Sequence, residues 1–123
     1  MVRIYYRGAA AAIMCCDLTD IASFDGLQTW EKELRGVLGD DVIVCIAVTK
    51  GDKQDRQVTL EQLQSYASSI GASVTVTSAM TKDGVDELFQ DLAKRLIAAA
   101  PKVPDVPQFS LEGNFTQRPA CGC

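Results

Sequence analysis

The stretch VIVCIAVTKGDKQ, Val42 to Gln54, decides how the rest of the chain is read. Val42 to Val48 is an unbroken apolar run rich in β-branched residues, the composition of a strand buried on both faces. It runs straight into Thr49-Lys50-Gly51-Asp52, where a lysine and an aspartate flank a glycine. A solvated turn explains the polar residues. A pocket that reads a nucleotide base explains the particular pair better, because a carboxylate accepts two hydrogen bonds from adjacent N–H donors while a lysine stem lies flat on a ring.

The same kind of element recurs on either side. Ala9 to Cys16, AAAAIMCC, is continuously apolar and stops at Asp17-Leu18-Thr19-Asp20. That pattern predicts a buried strand entering a loop, with helix as the competitor because of its alanines. Phe24, Leu27, Trp30, Leu34, Val37 and Leu38 recur at helical spacing, with Ser23 placed to cap the start and Gly39 to end the helix. Thr59 and Gln62 form a capping box for a second helix carrying Leu60, Leu63, Tyr66, Ala67 and Ile70, closed by Gly71. Ser73 to Thr77 reads as a short strand, and Gly84 precedes a helix with Val85, Leu88, Phe89, Leu92 and Leu96 on its inner face.

The order β-α-β-α-β-α predicts an α/β, three-layer fold with a parallel sheet. Right-handed crossovers place the first two helices on one face, so the third covers the other. Ligands of such sheets bind beyond the carboxyl ends of the strands. Asp17 to Asp20, Thr49 to Asp52 and Thr77 to Lys82 all fall there. In the last of these, Thr77-Ser78-Ala79-Met80 offers a small residue whose backbone N–H can approach a ligand oxygen, or else a plain helix-entry loop with Thr81 as cap.

Composition narrows the chemistry. The chain has 123 residues, 47% of them apolar, the size of one domain. Its net charge of −4 argues against a nucleic-acid partner, which would ask for a basic face. It contains no histidine, which removes the commonest general base and the usual catalytic zinc ligand. Five cysteines, an odd number, with no secretory segment at the start, predict an intracellular protein without a disulfide framework. No apolar run approaches the ~20 residues that span a bilayer.

With these motifs in place, the chain resembles the C-terminal part of a Rab-type small GTPase. The matching text is IYYRGA, a strand ending in CDLTD, then SF, W, KELR, TKGD and TSA in that order, from Ile4 to about Ile97, followed by a final Cys-x-Cys. Within the Rabs it is most similar to the early-endosomal branch. The resemblance implies GTP and GDP as ligands, with Thr49, Lys50, Asp52, Ser78, Ala79 and Met80 around the guanine. The equivalent of Asp52 reads the base, that of Lys50 packs on it, and the backbone at Ala79 meets the base oxygen. Two positions depart from the family. Thr49 stands where Rabs usually carry Asn, and Met80 where they usually carry Lys. Weakened nucleotide affinity is the expectation from both.

The phosphate-binding pattern G-x-x-x-x-G-K-[ST] does not occur: none of the nine glycines is followed by lysine. The resemblance places it, and the switch residues that hold Mg2+ and orient water, before Ile4, so no catalytic residue and no metal ligand is assigned here. The expectation is an incomplete P-loop GTPase fold that does not hydrolyse GTP by itself. By the same resemblance three further strands sit beside Ala9 to Cys16 in the family. Without them that strand becomes an apolar edge, and an aggregation-prone or poorly cooperative chain is expected. Met1 falling at a helix-to-strand junction suggests a truncated gene model, an alternative start or a fragment.

The segment from Pro101 onward contains all four prolines and no hydrophobic period, and is expected to be a flexible tail, residues 101–123, after a domain of residues 1–100. Cys121 and Cys123 close it. The resemblance implies that both are geranylgeranylated, which would involve the prenyl-transfer and membrane-extraction machinery of Rabs and hold the protein on endosomal or other endomembranes. A free or metal-scavenging C-x-C is the other reading. Cys15, Cys16 and Cys45 are expected as small core residues and Trp30 as a core or helix-packing aromatic. Tyr5 and Tyr6 are expected to end a helix.

Two functions of different class follow. One is a trafficking GTPase of Rab type represented by its base-reading half. The other is a pseudo-GTPase or interaction protein that uses the scaffold without binding nucleotide. A flavodoxin-like or receiver-type domain lacks support, because Asp17 with Asp20 is a weak acidic pair.

Overall fold

The computed structural model describes residues 3–100. Its elements run α1 (Arg3–Tyr6), β1 (Ala11–Asp17), α2 (Ile21–Leu38), β2 (Ile43–Thr49), α3 (Leu60–Ile70), β3 (Ser73–Val76) and α4 (Val85–Ala99). The strands form one parallel sheet in the order β1-β2-β3. Ala11 pairs with Ile43 and Asp17 with Thr49 in the first ladder, and Cys45 pairs with Ser73 in the second.

β2 lies between two strands and under two helical layers, so its sequence has no polar alternation: Val44 to Val48 are all buried. Side-chain parity then divides the core. Val44, Ile46 and Val48 join Met14 and Cys16 of β1 on the face covered by Leu27 and Leu34 of α2 and by Leu63 and Ala67 of α3. Cys45 and Ala47 point the other way, onto Leu88 of α4, with Ile13 and Leu92 beside them. The helices are therefore distributed as right-handed crossovers require. Burial of each of the larger aliphatic side chains, such as Ile46 or Leu63, is worth about 1.5–3 kcal/mol and fixes which face each strand residue takes.

Capping sets the helix bounds. Thr59 accepts the Gln62 N–H while the Gln62 side chain accepts the Thr59 N–H, the expected capping box, and Gly71 ends α3 in the left-handed region at φ 70°. α2 begins earlier than expected. Asp20, not Ser23, caps it, its carboxylate accepting the Ala22 N–H at 3.0 Å. Ser23 instead faces the end of β1, its hydroxyl accepting the Asp17 N–H at 2.9 Å and lying 3.1 Å from the Asp17 carbonyl. Gly39 closes the helix as expected. Thr81 is not the cap of α4, which starts after Gly84 without a side-chain cap. The Thr81 hydroxyl is engaged with Asp83.

Three further expectations are corrected. Cys15 is exposed rather than core, Trp30 is 51% exposed and Phe89 is 58% exposed. α4 packs on β2 with Ile13 of β1 at its margin, while Cys15, on that face of β1, is exposed. Trp30 projects from α2 beside β1, where only the short α1 lies near, and lines a cavity of about 330 Å³ with Tyr6, Met14 and Leu34. Phe89 sits about 100° round the helix from the buried Leu88 and is not among the α4 residues packed on the sheet, which are Leu88 and Leu92. Cys16 and Cys45 are buried as expected.

Candidate functional site

The three strands deliver three loops to one edge. The register sets Asp17 beside Thr49, and Thr77 follows β3 with its N–H donating to the Val48 carbonyl at 2.6 Å. Short hydroxyls stitch the strand ends together. Thr49 Oγ1 donates to the Cys16 carbonyl at 3.3 Å, and Thr77 Oγ1 to the Val48 carbonyl at 3.1 Å. Both satisfy carbonyls where the ladder runs out.

Lys50 turns the chain. Its φ of 61° places it in the left-handed region, uncommon for a residue with a side chain, and the turn sends its ammonium to Asp17, with Nζ 2.6 Å from Oδ2. The other oxygen of Asp17 accepts from the backbone N–H of Thr19 at 2.8 Å and from its hydroxyl at 2.7 Å. The bond from Lys50, and then those from Thr19, hold the Asp17 carboxyl down at about 2, while Asp17 raises Lys50 above its ordinary value. Lys50 is half exposed, so the pair orients the side chain more than it stabilises the fold.

Gly51 is required by contact. Its N–H donates to the Thr77 carbonyl at 2.9 Å, and a Cβ there would lie 2.6 Å from Val76 Cγ1 and 3.2 Å from the Thr77 oxygen. The close approach brings Asp52 against the next loop, where Ser78 Oγ donates to Asp52 Oδ1 at 2.8 Å. This bond, first among the causes, lowers the Asp52 carboxyl below its ordinary value, so it is an anion at neutral pH. Ser78 is itself fixed, buried, with its N–H donating to the Asp83 carbonyl at 3.0 Å and its hydroxyl accepting from the Thr81 N–H at 3.3 Å. Gly84, at φ 74°, is the second glycine the site needs, since a Cβ would lie 2.0 Å from the Val76 carbonyl.

The six residues singled out from the sequence thus lie on two adjoining loops at the carboxyl edge. Asp52 and Ser78 touch directly. Lys50 and Thr49 connect instead to β1, and Ala79 and Met80 project outward, Met80 being 83% exposed. Asp17 was missed as a partner of Lys50. An acidic residue closing β1 at the ligand edge was its signal, but Asp-Leu-Thr-Asp reads equally as a turn with a helix cap. Chemically, the edge presents a solvent-facing carboxylate held by one oxygen, a lysine stem anchored at its tip, and the backbone of a small residue nearby. That set fits a planar ring carrying two adjacent N–H donors and an oxygen, which is the recognition edge of guanine. Among the described residues no group of three or more His, Cys, Asp or Glu side chains is arranged to hold a metal ion.

Comparison with known proteins agrees with this geometry. The family model described as Ras family matches residues 1–98. The human Ras-related protein Rab-21 is 44% identical over 98 residues, covering 79% of this chain and 44% of the relative. Rab-21 of Dictyostelium discoideum is 38% identical over 116 residues, covering 94% of the chain and 55% of the relative. The mouse Ras-related protein Rab-31 is 39% identical over 100 residues, with 80% and 51% covered. The chain spans about half the length of the curated relatives it matches. A parallel sheet with two helices on one face and one on the other, loops gathered at its carboxyl edge, and a family match over 98 positions lead to one conclusion: the chain belongs to the Ras family, and its relatives place it among the Rab proteins of that family.

Proposed function

We propose that this chain is a Rab-type GTP-binding protein of endosomal membrane trafficking that carries the guanine-recognition half of the site. The observation that carries the reading is the Ser78-to-Asp52 hydrogen bond. It joins two loops from neighbouring strands and holds a carboxylate, facing solvent, at the place where a base would be read. Asp52 accepts the two adjacent N–H groups of guanine, a pair that adenine does not offer. The stem of Lys50 lies along the ring and the backbone of Ala79 meets the base oxygen, while Thr49 and Ser78 hold the two loops. Met80 contributes apolar packing where a lysine would make a polar contact.

GTP and GDP are the ligands of this reading, bound weakly, since the chain contains no G-x-x-x-x-G-K-[ST] loop to cradle the phosphates. No residue of this sequence is assigned to GTP hydrolysis or to Mg2+. Cys121 and Cys123 lie outside the described residues. As geranylgeranyl acceptors they would give two lipid anchors, enough for stable peripheral attachment, where one anchor and a tail without a polybasic cluster would not suffice. The prenyl-transfer and membrane-extraction machinery of Rabs are the corresponding partners.

Titration of 15N-labelled chain with GDP and, separately, with ADP tests the base-reading claim. GDP is expected to shift the amides of Lys50 to Asp52 and Ser78 to Met80 saturably, and ADP to leave them in place. Equal responses to the two nucleotides, or none to GDP, would move the protein to the alternative of a scaffold that acts through interactions without nucleotide.

A further inference from the structure

We propose that Arg56 is a positioning residue for base recognition, its guanidinium gripping the backbone on both sides of Asp52 and so fixing the direction of the carboxylate. This role rests on the guanine-reading part proposed above for Asp52, and Arg56 itself touches no base. Nη2 of Arg56 donates to the Gly51 carbonyl at 3.2 Å, and Nε donates to the Lys53 carbonyl at 3.4 Å. Gly51 and Lys53 are the immediate neighbours of Asp52. The two carbonyls that bracket the reading residue are therefore held by one planar group, whose Nε and Nη2 donors form a single rigid fork.

The fork springs from a fixed root. The N–H groups of Gln57 and Val58 donate to the Leu18 carbonyl at 2.8 and 3.3 Å, the Gln57 side chain accepts the Ile21 N–H at 3.1 Å, and Val58 is buried. The chain beside Arg56 is thus anchored to the turn between β1 and α2. The loop that the fork reaches across has no such anchor. Residues 52–57 are all exposed, so no apolar packing gives the loop its shape. The Lys53 N–H donates to the Lys50 carbonyl and the Arg56 N–H to the Gln54 carbonyl, both inside the loop. Among the described residues, the one hydrogen bond that ties Asp52 to Asp55 to another part of the chain is that from Ser78 to Asp52 Oδ1.

That single bond does not suffice for reading a base. Holding one oxygen leaves a carboxylate free to swing about the contact, whereas two adjacent N–H donors need both oxygens presented in their own plane. The plane is set by the backbone from which the side chain springs, and Arg56 holds that backbone before and after Asp52. Ser78 locates the carboxylate and Arg56 orients it.

Titration of the 15N-labelled full chain with GDP and, separately, with IDP is the test, because hypoxanthine lacks the 2-amino group and offers Asp52 one N–H in place of two. The wild-type chain is expected to prefer GDP. In R56A the affinity for GDP should fall about three- to tenfold, the loss of one hydrogen bond, and that for IDP by less, so the preference for the 2-amino group shrinks. A change that merely loosened the fold would lower both affinities by the same factor. R56K, whose ammonium lacks the planar fork, should fall between R56A and wild type. Because Arg56 is exposed, the urea midpoint of R56A should match that of wild type. A wild-type preference for GDP that R56A leaves unaltered would overturn the positioning role while the base reading stands. A wild-type chain that binds GDP and IDP alike, or neither, would overturn both.

Discussion

At the scale of the residue, Asp52 bears most of the functional claim. Substitution to Asn keeps its shape and its contact with Ser78 but replaces one acceptor oxygen with a donor, so one of the two N–H groups of guanine loses its partner. Losing a charge-assisted hydrogen bond of about 1.5–3 kcal/mol weakens guanine binding roughly ten- to a hundredfold. D52N should at the same time accept xanthine, whose second carbonyl matches the new donor. Competition between GDP and XDP in the same titration checks both, and an unchanged preference for GDP would remove Asp52 from the base site. Asp17 makes a prediction in pH. Its folded value of about 2 lies below its ordinary 3.8, so its ion pair with Lys50 contributes stability that is complete above 3.8 and is lost as pH falls through about 2. D17N should flatten the acid limb of a stability-against-pH curve over that window. A limb of undiminished slope would show that other carboxylates carry it. Of these two residues only Asp52 stood out in the sequence, because Thr-Lys-Gly-Asp is a motif with a mechanism. Asp17 acquires its partner only through the register of two strands more than thirty positions apart, information that no local pattern contains.

At the scale of the element, what was legible was what periodicity and capping encode. The alternation of three strands with three long helices, the Thr59 to Gln62 box and the left-handed Gly71 are all local in sequence and all present. Ser23 was misread because two capping residues stand within one turn and only the fold decides between them; Asp20 takes the helix and Ser23 takes the end of β1. The loop after β2 offers a prediction at this scale. Gly51 tolerates no side chain, because its Cβ would stand 2.6 Å from Val76 Cγ1, so G51A must push the base loop off β3 or displace Val76. The cost expected for such overpacking is about 1–3 kcal/mol in urea unfolding. V76A removes the nearer obstacle at a position already partly exposed, and the double variant should recover part of that loss, leaving the contact with the Thr77 carbonyl. Additive single effects in the double-mutant cycle would mean that the loop is held by something other than this approach.

At the scale of the whole molecule, the two sides of the sheet are unequal. Apolar runs and helical spacing put Cys15, Phe89 and Trp30 among apolar neighbours, and all three are exposed, because burial depends on which other elements lie alongside, which no pattern within a single strand or helix records. The same inequality should govern how the protein opens. The face under α2 and α3 joins twelve buried residues in one cluster, whereas α4 is fastened by Cys45, Ala47 and Leu88 with Ile13 and Leu92 at the margin. Elements with fewer buried apolar contacts unfold locally at lower free energy than the sheet they cover. Native-state hydrogen exchange should therefore show α4 amides opening first as a unit, with those of Val44 to Val48 in β2 exchanging last because that strand is paired on both edges and covered on both faces. L88A removes the anchor of the smaller cluster and should accelerate exchange throughout α4 by a free energy of about 2–5 kcal/mol, while the β2 amides change only if their exchange already passes through opening of α4. Equal acceleration in α4 and β2 would mean that the two layers unfold as one cooperative unit, and that the smaller cluster is as integral to the sheet as the larger.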